Sequence, residues 1–92
     1  MNKKRSEYAV QIDKNVEKFL LKHRGQPIIQ QFRKSIEILK KDPFQNSLNI
    51  KTMVGTQISY RLRLGKYRFI YRILDDILVI HFVDADTRGD IY

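Results

Sequence analysis

Four arginines flank a Gly-Lys pair in the second half of the chain, and their spacing suggests a site for phosphate. Arg61 and Arg63 stand two residues apart before Gly65-Lys66, and Arg68 and Arg72 stand four residues apart after it. A planar guanidinium can donate two parallel hydrogen bonds to phosphate oxygens, which a lysine ammonium cannot do. We therefore predict that these side chains bind a phosphodiester if the fold gathers them on one surface.

The residues around this pair alternate between apolar and polar types, as they do in a two-stranded hairpin. Residues 57–64 and 67–74 both alternate, and Gly65-Lys66 has glycine first, as a type II′ turn requires. Such a turn predicts these pairs: Leu64 with Tyr67, Arg63 with Arg68, Leu62 with Phe69, and Arg61 with Ile70. The apolar face then carries Tyr60, Leu62, Leu64, Tyr67, Phe69, Tyr71 and Ile73. The opposite face, which we call the arginine face, carries Arg61, Arg63, Arg68 and Arg72, with Ile70 among them. A slip of one residue would mix the two sets, so the pattern favours this register.

The predicted register sets Arg63 directly opposite Arg68. Like charges in that position destabilise a sheet by a few tenths to about 1 kcal/mol. A protein can tolerate this cost when an anion binds there or a partner covers the face. The alternative is a solvated sheet face that carries long charged side chains and binds nothing. The pairing cost favours the anion site.

A last strand is predicted over residues 77–83, after a second tight turn at Asp75-Asp76. Its alternation would put Leu78, Ile80 and Phe82 on the apolar face. Val79, His81 and Val83 would lie on the arginine face. The apolar neighbours of His81 favour a structural role, although an imidazole also suits proton transfer near neutral pH.

The first half of the chain predicts one strand and two helices. Residues 7–12 alternate, with Tyr8, Val10 and Ile12 on one face. Asp13 suits a helix N-cap, Gly25 a left-handed helix end, and Pro27 the first turn of a second helix. The apolar stripe of that helix is Ile28, Ile29, Phe32, Ile36 and Leu39, and Asp42-Pro43 ends it. Residues 44–56 are predicted to be a loop. The expected fold is α+β, a small β-α-α-β-β-β domain over residues 1–92, with an antiparallel-rich sheet and a helical hairpin packed on one face.

Composition narrows the class of protein. The 92 residues are enough for one domain, and the net charge of +8, from 18 Lys and Arg against 10 Asp and Glu, points to a polyanionic partner. The chain has no Cys, which excludes disulfides and thiolate metal sites, and its two His are isolated, so no metal and no cofactor are expected. No apolar run could span a membrane, and none follows the basic start, so we expect a soluble, cytoplasmic protein.

Two segments resemble a known family. Residues 60–71, Tyr-Arg-Leu-Arg-Leu-Gly-Lys-Tyr-Arg-Phe-Ile-Tyr, resemble the part of RelE-type toxins that has two basic residues in one strand, a tight turn and then Tyr-Arg-x-x-Tyr. Residues 86–92, Asp-Thr-Arg-Gly-Asp-Ile-Tyr, resemble the closing segment of those toxins, with an arginine and a terminal tyrosine. The predicted order of elements also resembles the core of the RelE/ParE superfamily, in its RelE-like branch.

The resemblance implies the toxin of a type II toxin–antitoxin pair. RelE-like members enter the ribosomal A site and cleave mRNA there. The 2′-hydroxyl attacks the adjacent phosphate and leaves a 2′,3′-cyclic phosphate and a 5′-hydroxyl. The expected partners are the ribosome, mRNA and an acidic RelB-like antitoxin that wraps the toxin in a hetero-oligomer. Two alternatives stay open: a ParE-like toxin that inhibits DNA gyrase without cutting RNA, and an inactive homologue that binds its antitoxin.

The resemblance also implies roles for individual residues. Arg61 and Arg63 match the paired basic residues of the family's strand, and Arg68 matches the arginine that stabilises the transition state. Arg88 matches the arginine of the closing segment, which would neutralise the leaving group. Tyr92 matches the terminal tyrosine, which would stack on a base or help to move a proton. Three further side chains are expected to contact the substrate: Arg72, Lys66 and His81.

The sequence departs from the family where a proton must be removed. The best-known member has lysines where this chain has Arg61 and Arg63, and arginine is effectively always protonated, so neither is a good general base. The base is left to Tyr92, to His81, or to the ribosome and substrate. Many relatives have a histidine where this chain has Thr87. Three aspartates around Arg88 would either orient it or weaken its affinity for phosphate: Asp84, Asp86 and Asp90.

Overall fold

The computed structural model describes residues 7–44 and 46–87. The two helices in this part of the chain are α1 (Lys14–Lys22) and α2 (Pro27–Lys41). The strands are β1 (Ala9–Ile12), β2 (Ile50–Met53), β3 (Ser59–Leu64), β4 (Tyr67–Leu74) and β5 (Val79–Thr87), and a 3-10 turn (Asp75–Ile77) precedes β5. None of the helices in the described ranges is long and apolar enough to cross a membrane.

The strands form one sheet in the order β1-β5-β4-β3-β2. β1 runs parallel to β5, and the other neighbours are antiparallel. Both helices pack on the same face of the sheet, where the ring of Phe32 stacks on Phe69 at a centroid distance of 4.5 Å and meets Phe82 edge-on at 5.0 Å. The predicted α+β fold, with a helical hairpin on one face of an antiparallel-rich sheet, is confirmed.

The helix signals are mostly confirmed. Pro27 is the first residue of α2, and Gly25 has a φ of +82°, the left-handed conformation that glycine adopts without a steric penalty. Ile28, Phe32 and Leu39 of the predicted stripe are buried. Asp13 does occupy the N-cap position of α1, but its carboxylate makes no capping bond and instead contacts His81.

The β3–β4 hairpin has the predicted register. Leu64 pairs with Tyr67, Arg63 with Arg68, Leu62 with Phe69, and Arg61 with Ile70. Gly65 has a φ of +63°, whereas Lys66 does not have a positive φ, which fits a type II′ turn. Leu62, Phe69 and Tyr71 are completely buried. The helix-covered and arginine faces of this hairpin are therefore those that its alternation predicts.

The prediction of a loop over residues 44–56 is wrong in part, because β2 lies within it. Ile50–Met53 pairs with β3, so that Lys51 is the partner of Arg61. Ile50 and Met53 are half-buried and the two residues between them are exposed, so the burial does not alternate strictly. This short strand forms because β3 offers it a partner, an effect of tertiary context that the pattern of the segment does not show.

The prediction for the β4–β5 connection is also wrong in detail. Leu74 pairs with Val79, which leaves four residues between the strands rather than a two-residue turn at Asp75-Asp76. Leu78 adopts a left-handed conformation with a φ of +54° and is exposed, so it is not part of the apolar face. β5 begins two residues later than predicted and continues to Thr87.

A β-bulge in β5 reverses the faces of its second half. Tyr71 pairs with Phe82, but Ile70 pairs with Asp84, so Val83 is an extra residue. Without the bulge, Asp84 would continue the even-numbered side of Phe82 and point to the core. With it, Ala85 packs on the core, while Asp84 and Asp86 lie on the arginine face. Nothing in the alternation of residues 77–83 predicts this change.

Gly65 is expected to stabilise the hairpin, because the turn needs a positive φ at this position. Gly65→Ala should lower the free energy of unfolding by about 1–2 kcal/mol, because a Cβ is strained at positive φ. Gly55→Ala is the matched control, since φ there is not in the left-handed region and an added Cβ would meet nothing within 4 Å. Urea unfolding of both variants measures the difference, and equal stabilities would contradict the turn assignment.

Candidate functional site

The arginine face is the surface of the sheet that the helices leave open. Neighbouring strands carry its side chains in rows that run across the sheet, because paired residues on adjacent strands point the same way. The first row is Arg63, Arg68 and Asp86. The second row is Lys51, Arg61, Ile70 and Asp84. The third row is Arg72, His81 and Gln11, and Ser59 lies on the same face two residues before Arg61 on β3.

The first two rows gather the cations. Arg63 and Arg68 are direct cross-strand partners, with Cα atoms about 4.5–5.5 Å apart, and Arg61 follows two residues from Arg63. No carboxylate of the described residues comes within 4 Å of the guanidinium groups of these three arginines. The Nε of Arg63 donates to the backbone oxygen of Gly65 at 3.2 Å. The cluster therefore has several free guanidinium donors and a net positive charge, which suits a phosphodiester.

The carboxylates of Asp84 and Asp86 on β5 lie beside this cluster but form no ion pair with its arginines. Oδ1 of Asp84 accepts hydrogen bonds from Nδ2 of Asn15 at 3.2 Å and from the backbone N–H of Ala85 at 2.9 Å. Oδ1 of Asp86 accepts from the backbone N–H of Thr87 at 2.7 Å. Nearby donors thus satisfy part of the hydrogen-bonding capacity of each carboxylate. The two aspartates lower the positive potential at the β5 end of the rows, but the arginines can still bind an anion.

The third row lies farther along the strands. Arg72 is four residues from Arg68 on β4, which is roughly 13 Å in an extended strand. His81 is the cross-strand partner of Arg72, and its Nε2 lies 2.7 Å from Oδ1 of Asp13. This contact ties β5 to the start of α1. The structure therefore separates Arg72 and His81 from the cluster of Arg61, Arg63 and Arg68.

Sequence comparison assigns the family. No family model matches the chain. Over 75 residues it is 36% identical to the protein named toxin RelE1 in Methanocaldococcus jannaschii, an alignment that covers 79% of this chain and 82% of the relative. This chain belongs to the RelE toxin family.

Solved RelE structures share the fold. The archaeal RelE–RelB complex from Pyrococcus horikoshii OT3 contains a chain that matches with a TM-score of 0.79 and 30% identity, over 92% of this chain and 99% of that one. A mutant of E. coli RelE in the free state matches with a TM-score of 0.70 at 19% identity, over 91% and 85% of the two chains. The toxin–antitoxin complex RelBE2 from Mycobacterium tuberculosis gives 0.71 at 20% identity, over 89% and 99%. The last two matches are evidence for the fold alone.

Of the remaining predicted site residues of this RelE-family chain, only Lys66 lies in the described ranges. Lys66 is at the tip of the hairpin, with its Nζ 5.6 Å from the ring centroid of Tyr67, a residue of the helix-covered face. Arg88 and Tyr92 lie outside the described residues. Arg88 directly follows Thr87, which is the cross-strand partner of Tyr67 at the end of β5.

Three charged residues of the arginine face were absent from the predicted site. The sequence pattern predicts a loop at Lys51, although a lysine between Ile50 and Thr52 is also compatible with a short edge strand. The sequence shows Asp84 and Asp86 only as neighbours of Arg88. Their place on the arginine face depends on the bulge at Val83, for which the sequence offers no clear signal.

Tyr71 has a titratable hydroxyl, but it belongs to the hydrophobic core and not to the arginine face. Its hydroxyl is buried and has no hydrogen-bond partner among the described residues, and its ring stacks on Tyr60 at a centroid distance of 5.4 Å. Burial, with a smaller contribution from Tyr60, raises the pKa of Tyr71 above its ordinary value. Tyr71 therefore stays protonated at neutral pH and serves the core.

The Asp13–His81 contact should couple the two side chains energetically. In a double-mutant cycle with Asp13→Ala and His81→Ala, we expect a coupling of about 0.5–1.5 kcal/mol, because the contact is short but only partly buried. Asp76→Ala with His81→Ala is the control cycle, since it removes the same charge from an exposed position. Urea unfolding at pH 6 and low salt measures both cycles. A coupling near zero for Asp13 would mean that the contact contributes nothing to stability.

Proposed function

We propose that this RelE-family chain is a ribosome-dependent endoribonuclease toxin, which cuts mRNA in the A site through attack of a 2′-hydroxyl on the adjacent phosphate. One observation carries the proposal. Arg61, Arg63 and Arg68 stand on adjacent strands of one sheet face, and no carboxylate of the described residues pairs with them within 4 Å. A protein that keeps three such cations together has a surface suited to an anion that arrives from outside.

The chemistry follows from where charge develops. As the 2′-oxygen attacks, the phosphorus gains a fifth oxygen and the non-bridging oxygens become more negative. Arg68 lies next to Arg63 and between β3 and β5, so its guanidinium is suited to those oxygens, with Arg61 beside it. Because the strands fix the Cα positions of these arginines, only their side chains need to move to follow the charge in the transition state. By the family resemblance, Arg88 would neutralise the departing 5′-oxygen.

The proton acceptor is the harder assignment. The arginines stay protonated, and Tyr71 is buried with a raised pKa. His81 lies two residues along the sheet from the second row, and Asp13 occupies its Nε2. Of the candidates that the sequence raises, this leaves Tyr92 together with the ribosome and the mRNA. We propose that the toxin supplies mainly electrostatic stabilisation and in-line positioning, and that Tyr92 stacks on a base or relays the proton.

The proposed inhibitor is an acidic antitoxin of the RelB type. The structural relatives from P. horikoshii and M. tuberculosis are complexes of a toxin with its antitoxin. A net charge of +8 on 92 residues favours association with an acidic partner. The proposed site of action is the cytoplasm, where the ribosome and mRNA are found.

Arg68→Ala tests the site. We expect the variant to cleave mRNA about 10²- to 10³-fold more slowly, because one donor to the transition state is lost. Arg24→Ala is the matched control, since it removes a guanidinium from the exposed turn between α1 and α2 and should cleave like the unchanged chain. Primer extension on mRNA in purified translating ribosomes measures new 5′ ends at A-site codons.

Three results would decide against the proposal. Full cleavage by Arg68→Ala would mean that the arginine cluster is not the site. Inhibition of DNA gyrase supercoiling without any new 5′ ends would support the ParE-like alternative. Absence of both activities, with tight binding to an acidic antitoxin, would identify an inactive homologue.

A further inference from the structure

Beside the arginine cluster, the arginine face continues into an open cleft. The cleft lies between the β2–β3 loop, residues 54–58, and the surface of β4 and β5, and its volume is about 640 Å³. Small-molecule sites in proteins typically enclose about 300–1,000 Å³. The space is therefore large enough for a ligand of nucleotide size, and its position places that ligand next to the second and third rows.

Strands β4 and β5 contribute two apolar residues to the cleft. Ile70 is only 6% exposed and is fixed by the central strand β4, and Val83 is the residue that the β-bulge adds. The bulge thus brings a branched apolar side chain to the arginine face beside Ile70. Val83 is half-buried, so it offers most of the apolar surface against which a planar ring can pack, and Ile70 lies buried beside it.

The rim of the cleft has polar side chains without hydrogen-bond partners among the described residues. Thr56, Gln57 and Ser59 line it, and their side chains make no hydrogen bond to any other described residue. The amide of Gln57 can donate and accept at the same time, and the hydroxyl of Ser59 can do either. Such groups read the edges of bases, which single-stranded RNA leaves open.

The charge beside the cleft identifies the class of ligand. Arg72 lines the cleft, and Arg61 lies in the neighbouring row. An apolar surface alone could bind many kinds of ligand, and cations alone could bind any phosphate. The combination of an apolar surface, a hydrogen-bonding rim and adjacent guanidinium groups matches a base, its edge and its phosphate.

We propose that this cleft binds one base of the mRNA next to the phosphate that is cut, and that Gln57 and Ser59 read the edge of that base. The inference rests on the proposed ribonuclease function and adds specificity to it. Cleavage then depends on the identity of the base at one codon position. In this proposal Gln57 and Ser59 determine which codon is cut. The three arginines of the cluster stabilise the transition state.

The test compares cleavage preferences on translating ribosomes. An mRNA library with a randomised A-site codon is incubated with the unchanged chain, with Gln57→Ala, with Ser59→Ala and with the control Gln30→Ala, an exposed position on α2. Sequencing of the new 5′ ends gives the preference for each base. The unchanged chain and the Gln30→Ala control should cleave preferentially at codons that have one particular base at one codon position. A bidentate contact to a base discriminates by about 5- to 150-fold, so Gln57→Ala should lower the preference by a factor in that range, and Ser59→Ala by a smaller one.

The outcomes separate the two proposals. If the unchanged chain makes no cuts, the ribonuclease function fails. If it cuts without base preference, or if both cleft variants keep the full preference, the cleft inference fails while the ribonuclease function stands. If the cleft variants bind an antitoxin more than tenfold more weakly and keep the full base preference, the cleft is an antitoxin surface and the inference is overturned.

A binding measurement provides an independent check. The four 5′-nucleoside monophosphates and inorganic phosphate are added separately to methyl-labelled protein. At least one nucleotide should shift the methyl resonances of Val83, and it should shift them more than inorganic phosphate does. Equal shifts with phosphate, or no shift with any nucleotide, would contradict a base site. Thermal unfolding should show Gln57→Ala to be as stable as the unchanged chain, because Gln57 is exposed.

Discussion

The register between β3 and β4 is the constraint on which the rest of the molecule depends. Side chains alternate along both strands, so Leu62 and Phe69 are buried only if Arg63 and Arg68 face away from the helices. A shift of one residue in either strand would press its arginines against the core. An uncompensated buried charge costs several kcal/mol, whereas two arginines facing each other on an open face cost about 1 kcal/mol at most. Hydrophobic packing therefore enforces the arrangement that brings the cations together.

The second half of β5 decides where the positive charge is greatest. Because the bulge at Val83 turns Asp84 and Asp86 outward, the first and second rows both end in a carboxylate at the β5 side. At the other side, the second row ends in Lys51 on β2. The net positive potential is consequently centred over β3 and β4, between Arg61, Arg63 and Arg68. A phosphodiester bound as proposed would lie there, over the central strand β4 and its neighbour β3.

How far the sequence could predict this structure depends on the type of signal. The hairpin, both faces of β3 and β4, and the two helices follow from alternation, a turn that needs glycine, and an apolar stripe, all of which are local. β2 could not be predicted securely, because its four residues form a strand only with β3 as a partner. The exposed Leu78 and the bulge at Val83 depend on how β4 and β5 align over their full length, and a single inserted residue leaves the hydrophobic pattern before it unchanged. For that reason the sequence alone predicts that the arginines share one face of the hairpin, but it does not place Lys51, Asp84 and Asp86 on that face.

The division of the arginine face has a chemical consequence. Arg61, Arg63 and Arg68 are carried by strands that bury Leu62, Phe69 and Tyr71 on the opposite face, so their Cα positions cannot adjust much when a substrate arrives. A fixed set of cations stabilises developing negative charge effectively but cannot accept a proton. The third row has an imidazole that could, but Asp13 holds it at a distance from the cluster. If the chain cleaves RNA as proposed, its contribution to the rate is thus electrostatic and positional. Removal of the 2′-hydroxyl proton must then come from a group that approaches the cluster from outside the packed sheet.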